Sequence, residues 1–325
     1  MLRFVLGMQL LWFSAFSAAD SKRFVFTEKQ MGTDFRIVTY GEKDATVEEA
    51  ARAAFAEVAR LNGIFSDYLD DSELSRLSHS SGTGKTVSVS KDLWTVLAAA
   101  RKLARDTDGA FDVTVGPYVR RWRAARFFKR LPSPEKLTLA RLAVGYRKLT
   151  LFPNRRAVRP EAPNMVLDLG GIAKGYAGDR ALAVLSERGF PFSLVDAGGD
   201  LTLGQPPPGR KGWRVAVGGR KHPDLPLLET ANLAIATSGD LEQFVEIGGK
   251  RYSHLVDPRT GLGLTTQLQV TVIAHTGIQA DSLASALSVL GPKKGAAYAK
   301  TLPGVQAYFL QRIGEETVLS VSKGE

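Results

Sequence analysis

The chain has 325 residues, 44% of them hydrophobic, and 43 Lys and Arg against 33 Asp and Glu give a formal charge of +10. That balance belongs to a globular protein and excludes disorder or a fibrous repeat. It favours anionic partners: phosphate esters, membrane surfaces or, least of these without a nucleic-acid motif, nucleic acid. The absence of cysteine excludes disulfides, thiolate metal sites and a lipidated cysteine.

The first residues, MLRFVLGMQLLWFSAFSAAD, have the three parts of an export signal. Arg3 is the positive start, Phe4 to Phe16 the apolar run, and Ser17, Ala18 and Ala19 the small residues of a cleavage site. Cleavage is expected after Ala19, leaving residues 20–325 as one compact domain. The apolar run falls short of the roughly 20 residues that span a bilayer.

Phe35 to Tyr40 reads as a strand, and Val47, Ala51, Ala54, Phe55, Val58 and Leu61 recur at helical spacing. A second helix is expected after Ser90 as N-cap, with Leu93, Val96, Leu97, Ala100, Leu103 and Ala104 on one face and an end near Gly109. The basic stretch from Arg120 to Arg130 reads as a solvated helix face with Trp122 and Phe127 turned inward, or as a docking surface for an acidic or membrane-bound partner. A third helix follows Gly170-Gly171 through Ala177, Ala181, Leu182 and Leu185 to Gly189. Strands then crowd together, among them FSLVDA, WRVAVGG, LAIATS and LQVTVIAH, and Gly248-Gly249 marks a hairpin. A helix from Ala280 to Leu290 and a short strand pair close the chain. Strands following one another without regular helical crossovers imply an α+β fold with mixed or antiparallel sheets.

Several stretches carry chemistry. In LDLGGIAKGYAGDRA, Leu167 to Ala181, paired glycines admit a ligand close to the backbone, and Lys174 lies about one turn into a helix, which suits an anion. The spacing is neither that of a P-loop nor that of a dinucleotide fingerprint. A tight turn with a surface lysine explains it equally well. Asp281 and Ser285, four residues apart, share a helix face and suit a hard cation. From spacing alone, a capping aspartate and a packed serine account for them better. Of the four histidines, His79, His222, His254 and His275, His254 has the most polar and structured context. Imidazole is the usual base near neutral pH, although a structural histidine is the commoner case. Thr107 to Pro117 and Val195 to Gly204 mix glycine, acid and apolar residues, as ligand loops and ordinary turns both do.

Taken in order, MGTDFRI from Met31, FSDYLDDSELSRLS from Phe65, DGAFDVTVGP from Asp108, LDLGGIAKGYAGDRA, LVDAGGDL, ATSGDLEQFVEIGGKRYSHLVDPRTG from Ala236 and VTVIAHTGIQADSLASAL from Val270 resemble the ApbE family. These are flavin transferases that attach FMN from FAD to a threonine of an acceptor protein. The blocks keep the family's order over nearly all of the mature chain. The resemblance implies a T-fold-like architecture, FAD as substrate and a divalent cation, normally Mg2+. It implies that Met31, Tyr68 and Ala110-Phe111-Asp112 line the flavin and adenine sites. Asp168 and Lys174 would hold polar parts of FAD, with Leu255 touching it beside His254. The metal would be bound by the side chains of Asp281 and Ser285 and the backbone carbonyl of Gly171.

Ser285 stands where the family usually has threonine, which keeps the hydroxyl but loses the β-branch that restricts χ1. The lipid-attachment cysteine of many relatives is missing, so an exported form in the periplasm or at the outer face of the cytoplasmic membrane, not anchored through cysteine, is expected. The stretch GQPPPGRKG and the basic segment after Arg120 look particular to this chain and are read as bearing on acceptor choice.

The implied reaction is attack of an acceptor Thr or Ser hydroxyl on the FMN-side phosphorus of FAD, with AMP leaving. Mg2+ and Lys174 would neutralise the pyrophosphate, His254 would take the proton, and Asp257 would orient His254. The implied partner is a subunit of a membrane redox complex with a Thr/Ser-containing motif. The same residues would serve a Mg2+-dependent FAD pyrophosphatase giving FMN and AMP, or a non-catalytic flavin-binding protein.

Overall fold

The computed structural model describes residues 21–217, 226–240 and 243–324. The expected export signal and His222 lie outside them. Strands β1 (Lys22–Gln30) and β2 (Thr33–Gly41) form a hairpin that turns at Met31 and Gly32. Helix α1 (Asp44–Phe65) follows and buries Val47, Ala51, Ala54, Phe55, Val58 and Leu61, the apolar stripe read from the sequence. Next come α2 (Glu73–His79), β3 (Val87–Ser88) and α3 (Lys91–Asp106). The Ser90 hydroxyl caps α3 by accepting from the Leu93 amide. Then follow α4 (Gly116–Phe128), α5 (Pro134–Ala143), β4 (Leu149–Phe152) and β5 (Ala157–Pro160), and β3, β5 and β4 make a small sheet.

Helix α6 (Ala173–Glu187) leads into β6 (Ser193–Ala197), β7 (Asp200–Leu203), β8 (Trp213–Ala216), β9 (Leu227–Thr230) and β10 (Leu233–Gly239). The hairpin β11 (Phe244–Ile247) and β12 (Lys250–Ser253) turns at Gly248-Gly249, whose φ angles of 58° and 73° give the primed turn its twist. The chain ends with β13 (Leu268–Ala274), α7 (Gly277–Lys300), β14 (Gln306–Ile313) and β15 (Glu316–Lys323).

The main sheet has eight strands in the order β1-β2-β6-β7-β10-β13-β14-β15, all pairs antiparallel. The α+β expectation therefore holds. Helices α1, α6 and α7 pack one face through Phe35, Ile37, Val195, Ala236, Val270 and Val272. The β8–β9 hairpin covers the other through Trp213 and Val215 against Val38, Leu194, Ile235 and Ile273. With both faces covered, every residue of β13 is buried, which is why LQVTVIA lacks the apolar–polar alternation of a half-exposed strand.

Three differences from the sequence reading have physical causes. Helix α7 runs on past Leu290 to Lys300, because Gly291 at φ 76° lets the chain kink before Pro292 and resume. Strand β1 and helices α2 and α5 are additional: β1 has no fully buried residue, α2 has only seven residues and α5 buries only Ala140 and Ala143, so none carries a long apolar stripe. Phe127 does not turn inward: it is 81% exposed, whereas Trp122 is buried. The buried stripe of α4 is Tyr118, Trp122 and Ala125, and Phe127, five residues after Trp122, falls on the opposite side. Among the described residues, no helix is long and apolar enough to cross a membrane.

Candidate active site

Two turns at one end of the main sheet, β1–β2 at Met31–Thr33 and β6–β7 at Gly198-Gly199, help to enclose a cleft of about 690 Å³. Its other walls are α4, the loop before α6, the end of β10, the segment after β12 and the start of α7. Met31, Ala110, Phe111, Asp112, Asp168, Gly171, Lys174, His254, Leu255, Asp281 and Ser285 all line this cleft. Tyr68 is not a lining residue. It is 75% exposed, with its ring 4.5 Å from the guanidinium carbon of Arg123, which does line the cleft.

The glycine-rich loop and α7 meet because neither has a side chain at the crossing. A Cβ on Gly175 would lie 2.1 Å from the Gly277 carbonyl oxygen, and one on Gly277 would lie 2.3 Å from that of Gly175. The contact aligns the first turns of α6 and α7, and the Gly175 amide donates to Asp281 Oδ2 at 2.9 Å. Burial, with the Asp200 carboxylate nearby, pushes the Asp281 carboxyl up to about 7 against the pull of Lys174. Lys174 itself pairs with Asp200. Burial would lower its ammonium, but the carboxylates of Asp200 and Asp281 outweigh that and hold it above the ordinary lysine value.

Asp168 accepts from the Gly170 amide at 2.8 Å and from Arg123 Nη2 at 3.2 Å. Arg123 also donates to Asp67 at 2.7 Å, so one guanidinium joins two acidic stretches across the cleft wall. Burial, reinforced by Asp67, raises the Asp168 carboxyl despite those donors. Asp112 lines the cleft, yet its oxygens accept from Thr114 N, Thr114 Oγ1 and Tyr146 N at 2.7–2.8 Å. Its carboxyl shapes the loop, and burial raises it.

His254 follows β12, and the chain there is braced on α4 by the Trp122 indole, which donates to the Ser253 carbonyl at 3.0 Å. Burial lowers the imidazole below its ordinary value, and the charges of Arg126 and Lys174 lower it further. Its Nδ1 faces the Gln243 carbonyl at 3.4 Å. Asp257 does not orient it. Both Asp257 oxygens accept from Arg259, at 2.8 Å each, because the turn at Pro258 folds that guanidinium back onto the carboxylate.

Among the described residues, no three His, Cys, Asp or Glu side chains gather as a metal cluster. A cation in the cleft would need other oxygen donors, and Asp281, Ser285 and the Gly171 carbonyl are such a set. A Cβ on Gly171 would lie 2.7 Å from Ser285 Oγ, so this backbone and this hydroxyl adjoin. One carboxylate, one hydroxyl and one carbonyl make an incomplete hard-oxygen set, which fits Mg2+ with positions left for water and phosphate. Ser238 Oγ lies 3.3 Å from Ser285 Oγ and restrains the hydroxyl that lacks a β-branch.

Asp200, Arg123, Arg126 and Ser238 belong to this site and escaped the sequence reading. For the arginines there was a signal: Val119, Trp122, Arg123 and Arg126 fall at i, i+3, i+4 and i+7 and share one face of α4.

Comparison with known proteins gives one answer by three routes. The family model "ApbE family" matches residues 31–309. The FAD:protein FMN transferase of Haemophilus influenzae is 32% identical over 286 residues, 85% of this chain and 83% of that one. The apo crystal structure of Pseudomonas stutzeri flavinyl transferase ApbE superposes with a TM-score of 0.82 at 30% identity, covering 93% of this chain and 95% of that one. An ApbE protein from Thermotoga maritima gives 0.81 at 28% identity, covering 93% and 97%. With six of its seven sequence blocks lining one cleft and most of its length matched, the chain belongs to the ApbE family.

Proposed function

We propose that the protein transfers FMN from FAD to a threonine or serine hydroxyl of an acceptor protein and releases AMP. One observation carries this reading: the His254 imidazole, the half-buried Lys174 ammonium paired with Asp200, and the Asp281–Ser285–Gly171 oxygen set converge in one cleft. A flavin-binding protein needs apolar walls and a few hydrogen bonds, not a base beside a cation site. The relatives' name, FAD:protein FMN transferase, supports FAD as donor and a protein as acceptor.

FAD enters as substrate. Phe111, Met31 and Leu255 offer apolar surface, and Lys174 sets a positive charge in the cleft against the pyrophosphate. Bound Mg2+, held by Asp281, Ser285 and the Gly171 carbonyl, would supply further charge neutralisation. Clamping the dinucleotide brings the FMN-side phosphorus in line with the acceptor oxygen. A bond forms from that oxygen to phosphorus while the bond to the bridging oxygen breaks, and AMP leaves with the bridging oxygen. With Nδ1 turned toward a carbonyl, the imidazole keeps its proton there, and Nε2 accepts the proton of the acceptor hydroxyl. The proposal includes export, with removal of residues 1–19, and an exported or membrane redox protein as acceptor.

The test is a mass spectrum of a candidate acceptor incubated with the protein, FAD and Mg2+, against a control without metal. A metal-dependent FMN phosphoryl adduct on threonine or serine, with AMP released, supports the proposal. Free FMN and AMP with every acceptor unmodified would indicate a pyrophosphatase, and intact FAD throughout a binding protein.

A further inference from the structure

The corner made by α4 and α5 carries chemistry that the cleft does not use. Between Arg120 and Ala143 the sequence has eight basic residues and a single acid, Glu135, a local charge of +7 in a protein of +10. On the side of α4 away from the cleft, the two helices bound an open groove of about 1200 Å³. Phe128, Leu131, Leu139 and Leu142 line it, and all four are exposed. Phe127 stands beside them, packed edge-on against Phe128 with ring centroids 4.9 Å apart. Arg120, Arg121, Arg130 and Lys136 line the same groove, and none of the four forms an ion pair among the described residues. The Arg121 Nε is buried without a hydrogen-bond partner.

Large apolar side chains grouped on a surface mark a contact, and the charge around them selects the occupant. A second copy would bring the same +7 against this one, and like charges facing each other oppose such a dimer. Phenylalanine and leucine ringed by arginine and lysine is instead the composition of an interfacial anchor on anionic lipid. We propose that the α4–α5 corner docks the protein on an anionic phospholipid surface, with Phe127 and Phe128 entering the headgroup boundary and the guanidinium groups meeting lipid phosphates. Since the other face of α4 presents Arg123 and Arg126 to the cleft, such docking also fixes how the cleft is oriented to the membrane plane. This inference rests on the corner alone and stands whatever reaction the cleft performs.

The chain has no cysteine, so Phe127→Cys in the full-length protein gives one attachment point for a polarity-sensitive fluorophore. Vesicles of phosphatidylglycerol and phosphatidylcholine should shift its emission to the blue, and phosphatidylcholine alone should not. The shift should weaken as salt rises from about 0.05 to 0.5 M. A label at Thr317→Cys, exposed on β15, should not respond, which separates docking at the corner from insertion of the apolar residues before Ala19. In the labelled protein, Phe128→Ser with Leu131→Ser should reduce partitioning roughly tenfold or more. No shift with anionic vesicles, or an equal shift at position 317, overturns the proposal. So does a lipid-free shift that grows with protein concentration, which would mean self-association. A shift with polyglutamate and none with vesicles would overturn it in favour of an acidic protein partner.

Discussion

Gly175 donates its amide to Asp281 across the point where α6 and α7 touch backbone to backbone. The carboxylate proposed to hold the cation is thus positioned by a contact that tolerates no side chain. In Gly175→Ala the new methyl meets the Gly277 carbonyl and drives the helices apart. Overpacking of this kind costs about 1–3 kcal/mol. Urea denaturation should show that loss, and the Mg2+ concentration for half-maximal transfer should rise roughly tenfold, one decade per 1.4 kcal/mol of lost affinity.

Burial sets the direction of the His254 pH dependence. The folded chain takes up this proton only at a pH below the value near 6.5 that serves the unfolded chain. Stability from the neutral ring is therefore present above about pH 6.5 and is lost as pH falls through the lower folded value. The acid limb of kcat/KM should have its midpoint below about 6.5. His254→Gln should remove that limb and slow transfer by roughly 10²–10⁴-fold at saturating FAD, with FAD binding little changed. Retention of near-normal transfer would remove His254 from the mechanism.

Asp281 runs the other way. Its carboxyl is raised to about 7 by burial and by Asp200, so the folded chain keeps a proton that the unfolded chain gives up near pH 4. Without metal, the stability it contributes is complete below about pH 4 and declines as pH rises through about 7. Metal-free Asp281→Asn should therefore melt above the parent protein at pH 8, by roughly 2 °C or more, and match it near pH 4. Mg2+ should raise the Tm of the parent but not of the variant, a comparison that thermal scans make directly.

Arg123 bridges Asp67 and Asp168 at the cleft wall. Arg123→Met keeps the aliphatic stem but leaves two carboxylates facing each other with no cation between them. The KM for FAD should rise roughly tenfold while kcat falls less, and Arg123→Lys should recover only part, having no fork to reach both acids. Initial-rate kinetics against FAD decides the split.

Much of the site was legible because its residues sit in short blocks with internal spacing: the Gly170–Lys174 loop, the Asp281–Ser285 pair and the strand end at His254. What the sequence could not show is what the sheet brings together. Asp200 reaches Lys174 because β7 pairs between β6 and β10, and Ser238 reaches Ser285 because β10 packs on α7. Nothing local to either residue encodes that. Phe127 misled for a related reason. Apolar spacing marks which residues share a side of α4, but this helix carries apolar groups on two sides, and only its packing tells them apart.

The order of the main sheet also governs how the chain assembles. Strand β2 finds one neighbour, β1, across a two-residue turn, and the other, β6, far along the chain, with Phe35 opposite Ala197. The hairpin can form at once. The middle of the sheet has no partner for it until α1 to α6 have been made and loosely gathered. Pairings this distant in sequence slow folding through the entropy of closing the loop between them. Refolding should show an early hairpin and a late closing step, during which β2 offers an open edge.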